Sequence, residues 1–236
     1  MPRHLCLAIL ACATACAPPA PIPTKQARPE PSASFEGEIE YEMLDNGTLP
    51  KEQRRDVLRA KGPNVVTAAC LMNVGCGHQV VDRTKNKLFI LLNEPKVYIE
   101  HDLSELATMR KEMTAPRDAA PPADPREWTK IEETNVTATV ATLPCREVVM
   151  TTGYGGRWEA CATRAREFAD LIRFFSETSA TGSHIFVNFP EYARAGWLPL
   201  RVRFPATHAE VVAVRVARHP VADSVFEVPP GYPRAN

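Results

Sequence analysis

The alternation of apolar and polar residues over residues 35–43 constrains the fold of this chain more than any other feature. The stretch reads FEGEIEYEM, in which glutamate or glycine residues separate the apolar ones. Successive side chains of a β-strand point to opposite faces of its sheet, so this period of two predicts a strand. One face of that strand is expected to be buried, and the other to be acidic and solvated.

Strand patterns recur through the chain. Residues 87–102 predict a hairpin with a turn near Asn86 before it, and residues 145–163 predict another hairpin around a GYGG turn. The last third predicts four more strands, over residues 184–189, 198–204, 209–217 and 224–228. Short connections between such strands favour an antiparallel sheet over a doubly wound fold. We therefore predict a mainly β (α+β) protein.

One helix interrupts this pattern at residues 164–178. Its apolar residues recur at the spacing of a single helix face. Thr163 can cap its start, and Gly182 lies just beyond its end. Such a helix could lie across a curved antiparallel sheet and cover its apolar face. The stripe consists of Phe168, Leu171, Ile172 and Phe175.

The chain begins with features of an exported lipoprotein. Its apolar run over residues 5–15 is too short for a membrane span, which needs about 20 residues. Small residues follow the run, as in a secretory signal. Residues 16–34 contain six prolines and predict an extended tether. We therefore predict a signal peptide over residues 1–15 and a folded domain over residues 35–236.

A cysteine near the cleavage point predicts lipidation. Ala13-Thr14-Ala15 before Cys16 leaves an apolar run of ordinary length, whereas Cys12 has a better residue three positions earlier, Ile9, but a shorter run. Cys16 is the favoured lipid anchor, with Cys12 and an ordinary cleaved signal as alternatives. The expected location is the bacterial cell envelope, on the outer membrane facing the periplasm, although either membrane fits these residues.

Composition and cysteine content narrow the class of protein further. The formal net charge is zero, so no basic excess points to nucleic acid. Four cysteines remain after the signal, an even number that predicts disulfides in an exported protein. Cys145 and Cys161 flank the GYGG turn about three positions out of register. The hairpin therefore leaves open whether they form a disulfide or stay as two buried thiols. Cys70 and Cys76 could pair, or join His78 in half of a metal site, and an oxidising compartment favours the disulfide.

Catalytic and cofactor motifs are missing from the sequence. Neither G-x-S-x-G nor H-E-x-x-H occurs, and the GYGG turn does not match a phosphate-binding loop. The histidines lie in surface-like contexts without a base or ligand pattern. We therefore predict a protein that is not an enzyme and that binds neither a metal nor a cofactor.

Three stretches together resemble a family of bacterial envelope domains of unknown function within the LolA/LolB-like superfamily. They are residues 35–43, 80–103 and the ending from residue 198, whose DSxFEVPxGY pattern is the most specific. The resemblance extends from Phe35 to Tyr232, and members with a cysteine pair in this hairpin imply a Cys145–Cys161 disulfide. Residues 48–80 depart from the family pattern. Residues 51–60 there predict a polar surface helix, and the cysteine-bearing stretch after them is left unassigned.

The resemblance implies a half-barrel, a curved antiparallel sheet with a helical lid across its concave face. An apolar hollow of this kind is a default ligand site, so we expect a lipid or another apolar ligand there. A plain filled core is the alternative for the same residues. An alternative function is a structural or sensory module that meets an envelope partner through a sheet edge or the acidic strand face. The candidate ligand residues are Ile39, Tyr41, Leu88, Ile90, Phe168, Leu171, Ile172 and Phe175.

Overall fold

The computed structural model describes most of the predicted folded domain. The described residues are 34–44, 54–71, 75–106, 108, 130–152, 156–177, 186 and 189–235, with the side chains of 69–71 and 75 excepted. They all fall within one compact unit, Ser32–Asn236. The predicted signal peptide, the tether and both candidate lipidation sites, Cys12 and Cys16, lie outside the described residues.

Eleven strands form one antiparallel sheet, which confirms the prediction of a mainly β protein. Their order across the sheet is β6-β5-β4-β3-β2-β1-β11-β10-β9-β8-β7, and the sheet does not close among the described residues. Two meanders, β1 to β6 and β7 to β11, are therefore joined where the first strand pairs with the last. The strands are β1 (Glu36–Leu44), β2 (Arg55–Lys61), β3 (Asn64–Leu71), β4 (Gly75–Asp82), β5 (Lys87–Leu92), β6 (Val97–Asp102), β7 (Lys130–Val140), β8 (Leu143–Thr151), β9 (Arg157–Thr163), β10 (Leu198–Phe204) and β11 (Ala209–Arg218).

The predicted helix is present between β9 and β10. A 3-10 turn at Arg166–Phe168 leads directly into α1 (Ala169–Glu177). The Thr163 hydroxyl oxygen accepts a hydrogen bond from the amide of Ala165 at 3.2 Å, in the connection before the turn. The predicted cap at Thr163 is wrong, because Ala165 holds the N-cap position and no side chain caps the turn. A second helix, α2, covers Phe189–Arg194. The predicted stop at Gly182 lies outside the described residues.

The helices pack on one face of the sheet, which we call the helix face and which Ile39 and Leu58 mark on β1 and β2. The Tyr41 ring on β1 lies edge-on to Phe186 and Phe189, each with ring centroids 5.3 Å apart. The large core contains residues from both helices and from strands on both sides of the junction between the meanders. Burial of that shared apolar surface holds the two meanders together.

The opposite face, which we call the strap face, is covered in part by residues 219–235, the strap. Phe226 and Val221 of the strap are buried against Val66 and Val80 in a second, smaller apolar cluster. The apolar run of β5 serves both faces, since its alternate residues belong to different clusters. A run without alternation is expected for a strand buried on both sides.

The predicted helix over residues 51–60 is wrong, because Arg55–Lys61 is strand β2. Every second residue of β2 is buried, beginning with Asp56. A buried aspartate among arginines masks the period of two, so the stretch resembles a polar helix. The neighbouring stretch forms β3 and β4, and the region 48–80 therefore contributes ordinary strands where it is described.

Two strands predicted near the end of the chain also need correction. Residues 224–228 fall largely within a 3-10 helix at Asp223–Phe226, because this segment lies across the sheet and not in it. Of residues 184–189, only Phe186 and Phe189 are described, and Phe189 begins α2. Both of these side chains are buried against the helix face.

Candidate functional site

The structure brings the eight predicted ligand residues into one continuous core. Seven of them are buried, with exposed fractions between 0 and 6%, and Ile172 is partly buried against the same core. Strand alternation directs the sheet residues to the helix face, and the stripe of α1 meets them there. Sequence periodicity therefore identified the correct face of each element.

The side chains of this core pack against one another. The Phe175 ring lies 5.2 Å from both Phe186 and Phe189, measured between centroids. The hydroxyl of Tyr41 donates a hydrogen bond to the Pro199 carbonyl at 3.0 Å, and burial raises the pKa of Tyr41. Among the described residues, cavities of about 120 and 200 Å³ lie elsewhere, and none of the eight residues lines either one. The described part of the predicted hollow is occupied by protein side chains.

Sequence reasoning missed a polar group within this core. The Asp56 carboxylate accepts hydrogen bonds from the Thr67 hydroxyl at 3.3 Å and from the amide of Ala68 at 3.2 Å. Gln79 on the adjacent strand is buried as well. Strand alternation places Asp56 on the face of Leu58, so recognising β2 as a strand would have revealed it. Buried polar groups need such partners, because an unsatisfied one costs about 1–3 kcal/mol.

The predicted acidic face of β1 is neutralised by arginines from β2. The Arg59 guanidinium contacts Glu38 at 2.7 Å, and Arg55 contacts Glu40 at 3.3 Å and Glu42 at 3.2 Å. The hydrogen bond from Arg59 lowers the pKa of the Glu38 carboxyl. These carboxylates are only partly exposed, so the expectation of a solvated acidic row is corrected to a row of ion pairs.

The two edges of the sheet are protected in different ways. At β6, the amide of Tyr98 donates to the Pro233 carbonyl at 3.0 Å, and the Tyr98 carbonyl accepts from Ala235 at 2.8 Å. The strap thereby pairs with this edge. At β7, a bulge opposes three residues to one of β8, and exposes half of Val136. Paired or bulged edges resist the addition of a foreign strand.

The predicted Cys145–Cys161 disulfide is present, with Cα atoms 5.4 Å apart. The ladder pairs Cys161 with Glu147, so the two cysteines are two positions out of register and not three. An even offset places both side chains on the same face of the sheet, whereas an odd offset would separate them. The predicted centre of the turn was half a residue away from the observed one. That error changes the offset between the cysteines from two positions to three, so the sequence did not reveal that they share a face.

The second predicted cysteine pair is opposed in the β3–β4 ladder, where Cys70 and Cys76 are register partners. Cys76 is disulfide-bonded, and the side chain of Cys70 lies outside the described residues. His78 is two residues further along β4. Within the described ranges, no group of three histidine, cysteine or acidic side chains could hold a metal ion.

Over the described residues, these observations define a class of fold: an open, eleven-stranded antiparallel sheet with helices on one face and a C-terminal strap on the other. No protein-family model matches this sequence, and no curated protein matches it. The resemblance to LolA/LolB-like envelope domains therefore stays a prediction. None of the helices in the described part of the chain is both long enough and apolar enough to cross a membrane.

Proposed function

We propose that this protein is a lipid-anchored component of the bacterial cell envelope whose β-domain is a non-catalytic module for binding a protein partner. The observation that carries this choice over lipid transport is the filled helix face. Tyr41, Phe175 and Phe189 occupy the space that an acyl chain would need. Separating such packed rings would cost several kcal/mol. A lipid carrier would need to offset that free energy each time it bound a lipid.

The same packing supports a half-barrel in which α1 and α2 are a fixed cover. Phe168, in the 3-10 turn that leads into α1, lies 5.1 Å from the Phe35 ring beside β1, measured between centroids. Ser34 donates a hydrogen bond to Asp170 at 2.5 Å. We therefore propose that the helices stay on the sheet during function and do not open as a lid.

A partner would be recognised through side chains on the surface of the sheet. Both edges are blunted, by the strap at Tyr98 and by the bulge at Val136. The acidic row at Glu38 is internally paired. Backbone addition at an edge and simple attraction to an acidic face are therefore both disfavoured in this proposal.

The anchor is tested by expressing the full chain in a Gram-negative host and separating membrane from soluble fractions. We expect the wild-type protein in the membrane fraction, with an intact mass that includes three acyl chains. Cys16→Ser should release it, and the matched Cys12→Ser variant should not. A soluble wild-type protein without added lipid mass would overturn the anchored role.

The carrier alternative is tested by native mass spectrometry of the protein before and after organic extraction. We expect no extractable lipid beyond the covalent anchor. A discrete lipid that is lost on extraction, and whose amount falls in an Ile39→Trp variant, would favour transport over partner binding.

A further inference from the structure

A half-open cavity of about 200 Å³ lies between the strap and the sheet. Its apolar floor is made by Val66, Val80 and Leu91 on three consecutive strands. Arg59 and His78 line it from the sheet, and strap residues in the range 224–229 line it from above. It is separate from the helix face and from every residue predicted as a ligand contact.

Strand register explains why these residues meet. Arg59, Val66 and Val80 are consecutive register partners across β2, β3 and β4. His78 and Leu91 are partners in a neighbouring row, two residues along the strands. Residues two apart share a face, so both rows point toward the strap.

The roof of the cavity is held in place by polar contacts and by burial. Lys61 on β2 contacts Asp223 at 2.7 Å, and the amide of Val221 donates to Glu36 at 3.0 Å. Phe226, inside the strap, is 2% exposed. The cavity is therefore formed before any ligand arrives, which lowers the entropic cost of binding.

Arg59 offers a directed group for an anion. Its Nε donates to Glu38 at 2.7 Å, and its two terminal nitrogens make no hydrogen bond within the described part of the chain. A guanidinium with free terminal N–H groups matches the geometry of a carboxylate. His78 is exposed at the cavity, and partial desolvation lowers its pKa, so its neutral imidazole can donate one further hydrogen bond.

We infer that this cavity binds a small monocarboxylate with an aliphatic body, its carboxylate on Arg59 and His78 and its body on the valine and leucine floor. The volume lies below the roughly 300–1,000 Å³ of pockets for drug-sized ligands, so the ligand is small. Glu227 also lines the cavity, and its carboxylate disfavours a second negative charge on the ligand. This chemistry occurs in free short-chain organic acids and at the C terminus of a peptide that ends in leucine. The inference does not depend on the proposed membrane anchor or on a protein partner.

The test is a titration of the purified full-length protein with 4-methylpentanoate, followed by NMR of the amide and imidazole signals. We expect saturable shifts in β2, β4 and the strap. The neutral isostere 4-methylpentanamide should bind at least tenfold more weakly. Arg59→Gln should weaken the acid at least tenfold, whereas Arg55→Gln should not, although Arg55 lies on the same strand and face and also pairs with glutamates.

Peptides distinguish the two sources of the carboxylate. Acetyl-Gly-Gly-Leu binding more tightly than 4-methylpentanoate would assign the cavity to a peptide C terminus, and weaker binding would assign it to a free acid. The same peptide with a C-terminal amide should bind more weakly than either acid. Either order supports the shared carboxylate chemistry.

A second variant keeps the test decisive where Arg59→Gln does not fold. Ser224 is exposed at the rim, so Ser224→Tyr should block the cavity and leave the fold intact. Loss of binding is the expected result. The inference is overturned if 4-methylpentanoate and the peptide show no saturable shifts, if the amides bind as well as the acids, or if Ser224→Tyr binds as tightly as the wild type.

Discussion

The two faces of the sheet are covered by different kinds of structure. The helix face is covered by α1 and α2, whose rings join one large core with the strands. The strap face is covered by an irregular segment that buries only Val221 and Phe226 fully and leaves a cavity beside them. A helix brings a side chain to its partner every three or four residues, whereas a strap anchors at a few points. Stability is therefore expected to be concentrated on the helix face and ligand access on the strap face.

The largest effect is expected from Phe175→Ala. This ring is fully buried between Phe186 and Phe189, so truncation should lower the free energy of unfolding by about 3–5 kcal/mol. Chemical denaturation measures the change. A loss below about 1 kcal/mol would mean that the helix face is loosely packed, and would revive the predicted hollow.

The next effect is expected from the disulfide, which belongs to the same core. Replacing Cys145 and Cys161 together by serine should cost about 3 kcal/mol, because a loop of this length is no longer closed in the unfolded chain. Denaturation under non-reducing conditions measures it. A double variant as stable as the wild type would show that the β8–β9 ladder is sufficient without the bond.

A smaller effect is expected from Phe226→Ala on the strap. The ring is buried, but the strap can relax into the space that it leaves. The loss should therefore be about 2 kcal/mol, below the roughly 3–5 kcal/mol that is usual for such changes. Hydrogen exchange should be faster at the amides of Tyr98 and Ala235, which pair strap and edge, than in β1. Equal costs for Phe226→Ala and Phe175→Ala would remove the distinction between the two faces.

The smallest effect concerns the ion pair between Glu38 and Arg59. The pKa of the Glu38 carboxyl is lowered in the folded state. The ion pair therefore stabilises the protein fully at a pH above the pKa of an unfolded carboxyl, about 4.3. This stabilisation is lost as the pH falls through the lower pKa of the folded state. Glu38→Gln should cost less than about 1 kcal/mol at pH 7. The difference from wild type should shrink below about pH 4.

Val225→Ala is the control for that pH series. It removes no charge, so its difference from wild type should stay constant over the same range of pH. A Glu38→Gln difference that is equally constant would show that the carboxylate contributes no charge-dependent stability.

Local periodicity explains which parts of the fold were predictable. The strand over residues 35–43, the hairpin over residues 87–102 and the stripe of α1 each repeat with the period of their own structure. Their buried faces follow from that repeat alone. β2 was missed because Asp56 occupies one of its buried positions, where its carboxylate accepts a hydrogen bond from β3 that depends on the pairing of the two strands.

The candidate site shows the same division. The sequence by itself determined the apolar face of each element, the mainly β class and the cysteine pair of the β8–β9 hairpin as a candidate. Only the tertiary structure decided that the predicted ligand residues fill their own space, that arginines neutralise the acidic row, and that Arg59 and His78 line one cavity beneath the strap. Periodicity describes one element at a time, whereas filling, pairing and enclosure depend on the register between strands and on which segment covers each face.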